Sequence, residues 1–273
     1  MQPQRVDEGP EIASLIAMDS QELMDRLLEP TTMKAIYEDT EAIISRNRTP
    51  DGLRALVANV IETMEDLWSD LESEVPAYAC RKGCSACCHQ SVMATAAEVL
   101  HAAEFLHKNL TASEVLRLRD RVAARAKDTD FLDNDQRMDK HIPCSFLKDD
   151  ICSIYPVRPL QCRGGFSEDA DYCRSLLDHR EETQTAVANG DIEGKYLLVP
   201  KMLYDSAQIG MAGALKKDGL NSDPLDLTAA MAIALSDPKI TEKWLRGWPV
   251  FERARLHKRQ GKNGELYATQ PAQ

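Results

Sequence analysis

Apolar residues recur at helical spacing over most of this chain. Over 12–28 they fall at Leu15, Ile16, Leu23, Leu27 and Leu28, and Pro30 is placed to end that element. A second face, less regular, runs through Met33, Ile36, Tyr37, Ile43 and Ile44 over 33–44. The longest stripe is Leu53, Leu56, Val57, Val60, Ile61, Met64 and Leu67. It predicts a helix over 50–71, with Thr49 as its cap and Pro50 in its first turn. The acidic stretch 62–74 is its solvated face.

Pro76 breaks this pattern. Thr95 with Glu98, and Thr111 with Glu114, have the spacing of capping boxes and predict two further helices. The polar stretch 128–140 reads as a long connection. The segment 141–166 is short and rich in proline and glycine, so any strand in it is brief. Helix is again predicted over 168–182, over 198–217 with a face of Met202, Ile209, Met211 and Leu215, over 225–235 behind Asp223-Pro224, and over 240–244 behind Asp237-Pro238. Gly247 and Pro249 interrupt the last of these. The polar segment 261–273 lacks periodicity and is expected to be disordered. Strands do not alternate with helices as a Rossmann sheet or a barrel requires.

The expected fold is mainly α, a helical frame around irregular cysteine-rich metal-binding loops. Its segments are an N-terminal helical part (1–74), a cysteine-cluster region (75–175), a C-terminal helical part (176–260) packed on the same core, and the tail (261–273). A chain of 273 residues buries a sizeable core without staples. Its net charge of -11 argues against a generic nucleic-acid binder. The densest basic run, 253–259, sits at the end of an expected helix, where cations suit the helix dipole. The N-terminus has no apolar signal-peptide core, and no stretch approaches the roughly 20 apolar residues of a membrane span. The expectation is a cytoplasmic protein with reduced thiols, no membrane role, and another protein as its partner or substrate.

The eight cysteines change the picture most. Cys80, Cys84, Cys87 and Cys88 lie within nine residues, and Cys144, Cys152, Cys162 and Cys173 follow. Thiols needed only for packing would be scattered. Thiols gathered at two addresses point to ligands for zinc or an iron–sulfur cluster. Cys84-x2-Cys87 can turn two thiolates onto one metal, and Gly83 permits the tight turn before them. Adjacent side chains diverge, so Cys87 and Cys88 are expected to serve different ions, or one of them to be spare. Cys173, in a helical pattern beside Leu176 and Leu177, is the best candidate for a cysteine that is merely buried. His89 and His141 stand beside thiols but are expected to support them rather than bind metal, while His101 and His107 lie in helical pattern. Radical S-adenosylmethionine enzymes share the Cys-x3-Cys-x2-Cys spacing, but their motif follows a barrel strand, and no such strand precedes it here.

The motifs Cys80-x3-Cys84-x2-Cys87-Cys88, Pro143-Cys144-Ser-Phe146-Leu147 and Cys152-Ser-Ile154-Tyr155-Pro-Val-Arg158-Pro159-Leu-Gln-Cys162-Arg163 together resemble the YkgJ-like family of zinc- or iron-chelating cysteine-cluster domains. The resemblance covers roughly 75–175 and leaves function largely open. A related cysteine domain occurs in flagellin lysine methylases, which raises an iron–sulfur methyltransferase reading. No Gly-x-Gly-x-Gly loop after a strand supports it here. The family pattern also singles out Arg158 and Arg163. They either offset thiolate charge at a cofactor or brace the loop through backbone carbonyls. Tyr155 and Phe146 are expected to wall the site from water. The favoured cofactor is a [4Fe–4S] cluster with a redox or protein-modification role. The alternative is Zn²⁺ holding the fold of a protein-interaction or accessory module, since eight cysteines fill two four-thiolate sites.

Overall fold

A computed structural model describes residues 30–260 and 266–269. The helix expected over 12–28 therefore lies outside the described residues. The chain is mostly helical, and its cysteine-rich stretch threads between helices.

Helix α1 (Pro30–Arg46) leads through a short turn into α2 (Pro50–Leu71). The Thr49 hydroxyl accepts from the Gly52 N–H, as the sequence predicts. Leu53, Leu56, Val57, Val60, Met64 and Trp68 form the buried stripe of α2. α3 (Ala96–Asn109) and α4 (Ala112–Asp128) both begin with complete capping boxes, Thr95 with Glu98 and Thr111 with Glu114. The stretch 128–140 is more than a connection. It holds α5 (Asn134–Asp139), opened by a third capping box, Asp133 with Gln136, a signature that sequence reading overlooked.

The one-turn α6 (Leu160–Arg163) is followed by α7 (Ala170–Asp178) and α8 (Arg180–Ala188), so the helix expected over 168–182 breaks at His179. α9 (Leu198–Lys217) lies along α1 and also packs on α6. The crossing with α1 is close at Gly210, where a Cβ would sit 2.4 Å from the Met33 carbonyl oxygen. Ile209 does not belong to the buried face of α9; it is exposed. α10 (Leu227–Ala234) packs between α3 and α4, and α11 (Ile240–Leu245) follows. Asp226, rather than Asp223-Pro224, caps α10, because residues 225–226 are taken up by a strand.

The strands are brief. β1 (Met93–Ala94) pairs antiparallel with β4 (Leu225–Asp226), joining the starts of α3 and α10. β2 (Leu147–Lys148) and β3 (Ile151–Cys152) form a hairpin inside the cysteine region. β5 (His257–Gln260) pairs with β6 (Leu266–Thr269), so part of the segment expected to lack structure is a strand. The basic run over 253–259 likewise spans a 3₁₀ turn and β5 rather than a helix end.

One buried apolar cluster extends from Ile36 to Ala254 and takes side chains from α1, α2, α3, α9 and α10. Phe146, Ile154, Val157 and Leu160 of the cysteine region belong to it. The irregular loops are thus anchored from beneath by the same core that the helices share. Among the described residues, no helix is long and apolar enough to cross a membrane.

Candidate metal centre

The first cysteine loop leaves α2 through a 3₁₀ turn (Glu72–Glu74) and runs extended to Cys80. The Ala79 N–H donates to the Ser167 carbonyl at 2.8 Å, which ties this strand-like segment to the approach to Cys173. The chain then turns tightly. The Cys84 N–H bonds to Arg81 O at 2.9 Å, and Gly83 takes φ +89°, a conformation that favours glycine. A second 3₁₀ turn, Ala86–His89, carries Cys87 and Cys88.

The second loop is built on the β2–β3 hairpin. Its two-residue turn, Asp149-Asp150, has positive φ at both positions (50° and 59°), as a primed hairpin turn requires. The pairing sets Leu147 opposite Cys152. Cys144 enters just before β2. Cys162 sits in α6, behind Pro159, whose carbonyl accepts from the Cys162 N–H.

Two contacts join the loops. The Cys144 N–H donates to the Cys88 carbonyl at 2.7 Å, and the Ser85 hydroxyl donates to Asp150 Oδ1 at 2.6 Å. Two groups of cysteines more than 50 positions apart are therefore in direct backbone contact. Helix α7 packs on the Ala86–His89 turn and brings Cys173 to the first loop.

All eight thiols are free. Their influence on one another's ionisation sorts them into two overlapping sets. Burial raises the Cys80 thiol, and Cys84, Cys87 and Cys173 add to the rise. Burial also raises Cys173, with Cys87 and Cys84 as its charged neighbours. In the other set, burial pushes Cys144 up to about 11 with Cys152 adding. It pushes Cys162 well above the ordinary thiol range, with Cys144, Cys87 and Cys152 adding. Cys87 and Cys88 stand where the sets meet. A hydrogen bond from Cys88 lowers Cys87 to about 7, with Arg158 helping, and the same bond pushes Cys88 strongly upward. Cys88 is thus the harder of the two to ionise.

Cys173, the sequence's candidate for a merely buried cysteine, is indeed buried, yet it lies within electrostatic reach of Cys80, Cys84 and Cys87. The two arginines part company. Arg158 lies over the Tyr155 ring, 3.8 Å from its centroid, and its charge lowers Cys87, Cys152 and Cys162. Arg163 is fully buried and makes scaffold contacts. Its Nε and Nη2 donate to the carbonyls of Arg158 and Pro156 at 3.0 and 2.6 Å, and its Nη1 pairs with Glu65. Phe146 is wholly buried under the second loop, but Tyr155 is 59% exposed and does not wall the site. The His89 ring nitrogen approaches Ala86 O, and His141 faces Asp178, so neither joins the thiols.

Among the described residues, no three His, Cys, Asp or Glu side chains stand together as a formed ligand group. The donor chemistry nonetheless fits a thiophilic metal. The thiols are soft donors whose ionisation is opposed by burial and by one another, and a cation among them would relieve both effects. Several thiols now point to backbone instead, such as Cys80 Sγ at 3.9 Å from Gly165 O.

Sequence reasoning missed Arg125, whose charge acts on Cys144. It lies on α4, and only the tertiary fold brings it there. Gln161 was missed too. Its side chain accepts from the Met93 N–H and so fixes β1 beside Cys162.

No curated protein and no solved structure matches the chain. A family named CxxCxxCC and described as "Putative zinc- or iron-chelating domain" matches residues 79–175. The cysteine run here, Cys-x3-Cys-x2-Cys-Cys, is one residue longer than that name implies. The matched segment begins just before Cys80, ends just after Cys173, and encloses both loops. The resemblance to the YkgJ-like family read from the cysteine motifs is thus matched by a family model over residues 79–175.

Proposed function

We propose that the chain binds metal through thiolates of its two cysteine loops, and that the bound group is a [4Fe–4S] cluster serving redox chemistry or the modification of another protein. The observation that carries this reading is the 2.7 Å backbone bond between Cys144 and Cys88, which makes the two loops one locus. The proposed ligands come from Cys80, Cys84, Cys87 and Cys173 on one side and from Cys88, Cys144, Cys152 and Cys162 on the other. When bound, such a cluster supplies one-electron redox chemistry.

The remaining roles belong to the chain's own residues. Arg158 offsets the negative charge of the thiolates. Arg163 holds the carbonyls of Pro156 and Arg158 and so keeps the Cys162 turn in shape. Phe146 and Ile154 keep water from beneath the second loop, which favours a stable cluster and tunes its potential.

The partition of eight thiols into two fours supports zinc as a second reading. Two closed four-thiolate sites would hold the loops together in an accessory or protein-interaction module. Anaerobic purification separates the two. The iron–sulfur reading expects brown protein with iron and sulfide in about equal amounts. Colourless protein with stoichiometric zinc and no sulfide after reconstitution would establish the zinc reading in its place.

A further inference from the structure

The two cysteine loops are joined through side chains as well as backbone. The Ser85 hydroxyl donates to Asp150 Oδ1 at 2.6 Å, across 65 positions of chain. Neither residue serves its ordinary local purpose. Ser85 opens the Ala86–His89 turn, where a serine hydroxyl usually accepts from the turn's own N–H groups. It makes no such bond here. Asp150 is the second turn residue of the β2–β3 hairpin, with φ +59°. That position favours glycine, and a residue with a Cβ is strained there. Each partner also lies beside proposed ligands. Ser85 directly follows Cys84 and stands two positions before Cys87, and Asp150 stands two positions before Cys152.

We propose that Ser85 and Asp150 are positioning residues. Their bond is a clasp that holds the two loops together before metal arrives and so raises the affinity of the centre. The effect on affinity rests on the proposed metal centre, whereas the clasp itself does not. A site assembled from segments so far apart in the chain carries a loop-closure cost. Where the folded chain already holds the segments together, metal binding does not meet that cost again, and affinity rises. The bond from the Cys144 N–H to the Cys88 carbonyl spans the same junction and therefore reports on the clasp. Opening of the junction frees that N–H to exchange with water. Ser85 is half-buried and Asp150 exposed, so the effect has the size of one solvated hydrogen bond, not of a buried pair.

The test uses full-length, reduced, ¹⁵N-labelled protein and the variants Ser85→Ala, Asp150→Gly and Ser85→Thr. In the metal-free proteins, Ser85→Ala and Asp150→Gly should each speed exchange of the Cys144 N–H about fivefold, the effect of losing one hydrogen bond. The buried Leu56 and Val60 amides of α2 should keep their rates. Zinc alone, titrated against a chromophoric chelator, should bind each of the two variants about fivefold more weakly than the wild type. The double variant should be no weaker than either single one, because both changes remove the same bond. Ser85→Thr keeps the hydroxyl and should restore both readings. Asp150→Gly separates the clasp from the turn. Glycine suits the positive φ, so a role in the turn alone predicts a tighter hairpin and a zinc affinity that holds or rises. That result, or wild-type exchange at Cys144 in the folded variants, would overturn the clasp. Faster exchange with unchanged affinity would overturn the positioning role. If the wild type holds iron after reconstitution but no zinc, loss of cluster absorbance to a chelator replaces the zinc titration. If it holds neither metal, only the proposed centre falls, and the exchange rates decide the clasp.

Discussion

Glu98 accepts a 2.8 Å hydrogen bond from the backbone N–H of Leu160, 62 positions further along the chain. The same buried carboxylate accepts from the Thr95 N–H and hydroxyl at 2.7 and 2.8 Å and from Gln208 Nε2 at 2.9 Å. Glu98 is thus more than the capping-box partner of α3. It joins α3, α9 and the turn that carries Cys162. Replacing it with Ala orphans these buried donors and should destabilise the fold by about 3 kcal/mol, read from urea denaturation.

Burial leads the influences on the Glu98 carboxyl and pushes it above the usual 4.5, against the donors that hold it down. A raised folded-state value means that the folded protein holds this proton more tightly than the unfolded chain. The associated stability is complete below about pH 4.5 and is lost as pH rises through the folded value. Glu98→Gln should abolish this component, so that its urea midpoint falls less than that of the wild type as pH climbs from 4.5. Parallel pH profiles for the two proteins would contradict the assignment.

The helical frame was largely legible in the sequence because caps and periodicity are local. Thr49, Thr95 and Thr111 each announced a helix start that formed where expected. α5 escaped because its box uses Asp133 and Gln136 within a polar stretch that has no apolar stripe to draw attention to it. Asp223-Pro224 misled for a different reason. Its capping chemistry is sound locally, but the pairing of Leu225 and Asp226 with β1 moves the helix start to Leu227. At the metal centre, the cysteine spacing marked out the two loops. It could not reveal that Arg163 turns to Glu65, that Tyr155 faces solvent, or that Arg125 arrives from α4. Those facts depend on contacts across the fold.

Thiol protonation gives the centre a pH dependence of known sign. Burial raises Cys80, Cys152 and Cys162, and Cys144 to about 11, so these thiols are protonated at neutral pH in the metal-free chain. Metal binding to them must release protons, and affinity should rise with pH up to those values. Titrating metal into weakly buffered protein at pH 7 should acidify the solution. Without metal, the same shifts act on stability. The component tied to the Cys144 proton is complete below about pH 9 and lost as pH rises through 11.

Cys84→Ala should destabilise the cysteine loops while leaving the helical frame in place. Cys84 lies in the tight turn of the first loop, and a lost ligand removes folding free energy from that region. α2 and α10 have their own buried faces, so far-ultraviolet circular dichroism should keep most of its helical signal. Collapse of that signal would mean that the frame depends on the metal.

The division of the thiols into two sets makes the sharpest prediction. Cys173 interacts with Cys84 and Cys87, whereas Cys152 interacts with Cys87 and borders Cys144 and Cys162. If the sets are separate binding sites, Cys173→Ala and Cys152→Ala should each lower the metal bound per chain by about half, since each removes one of four ligands from one site. The double variant should then bind almost none. The expected independence is not complete, because ionisation of Cys87 and Cys88 is linked through their hydrogen bond, and each retained site should also show a shifted affinity. Elemental analysis of the three variants beside the wild type reads the outcome directly. If either single variant loses all of its metal, the eight thiols act as one site, and the partition is wrong.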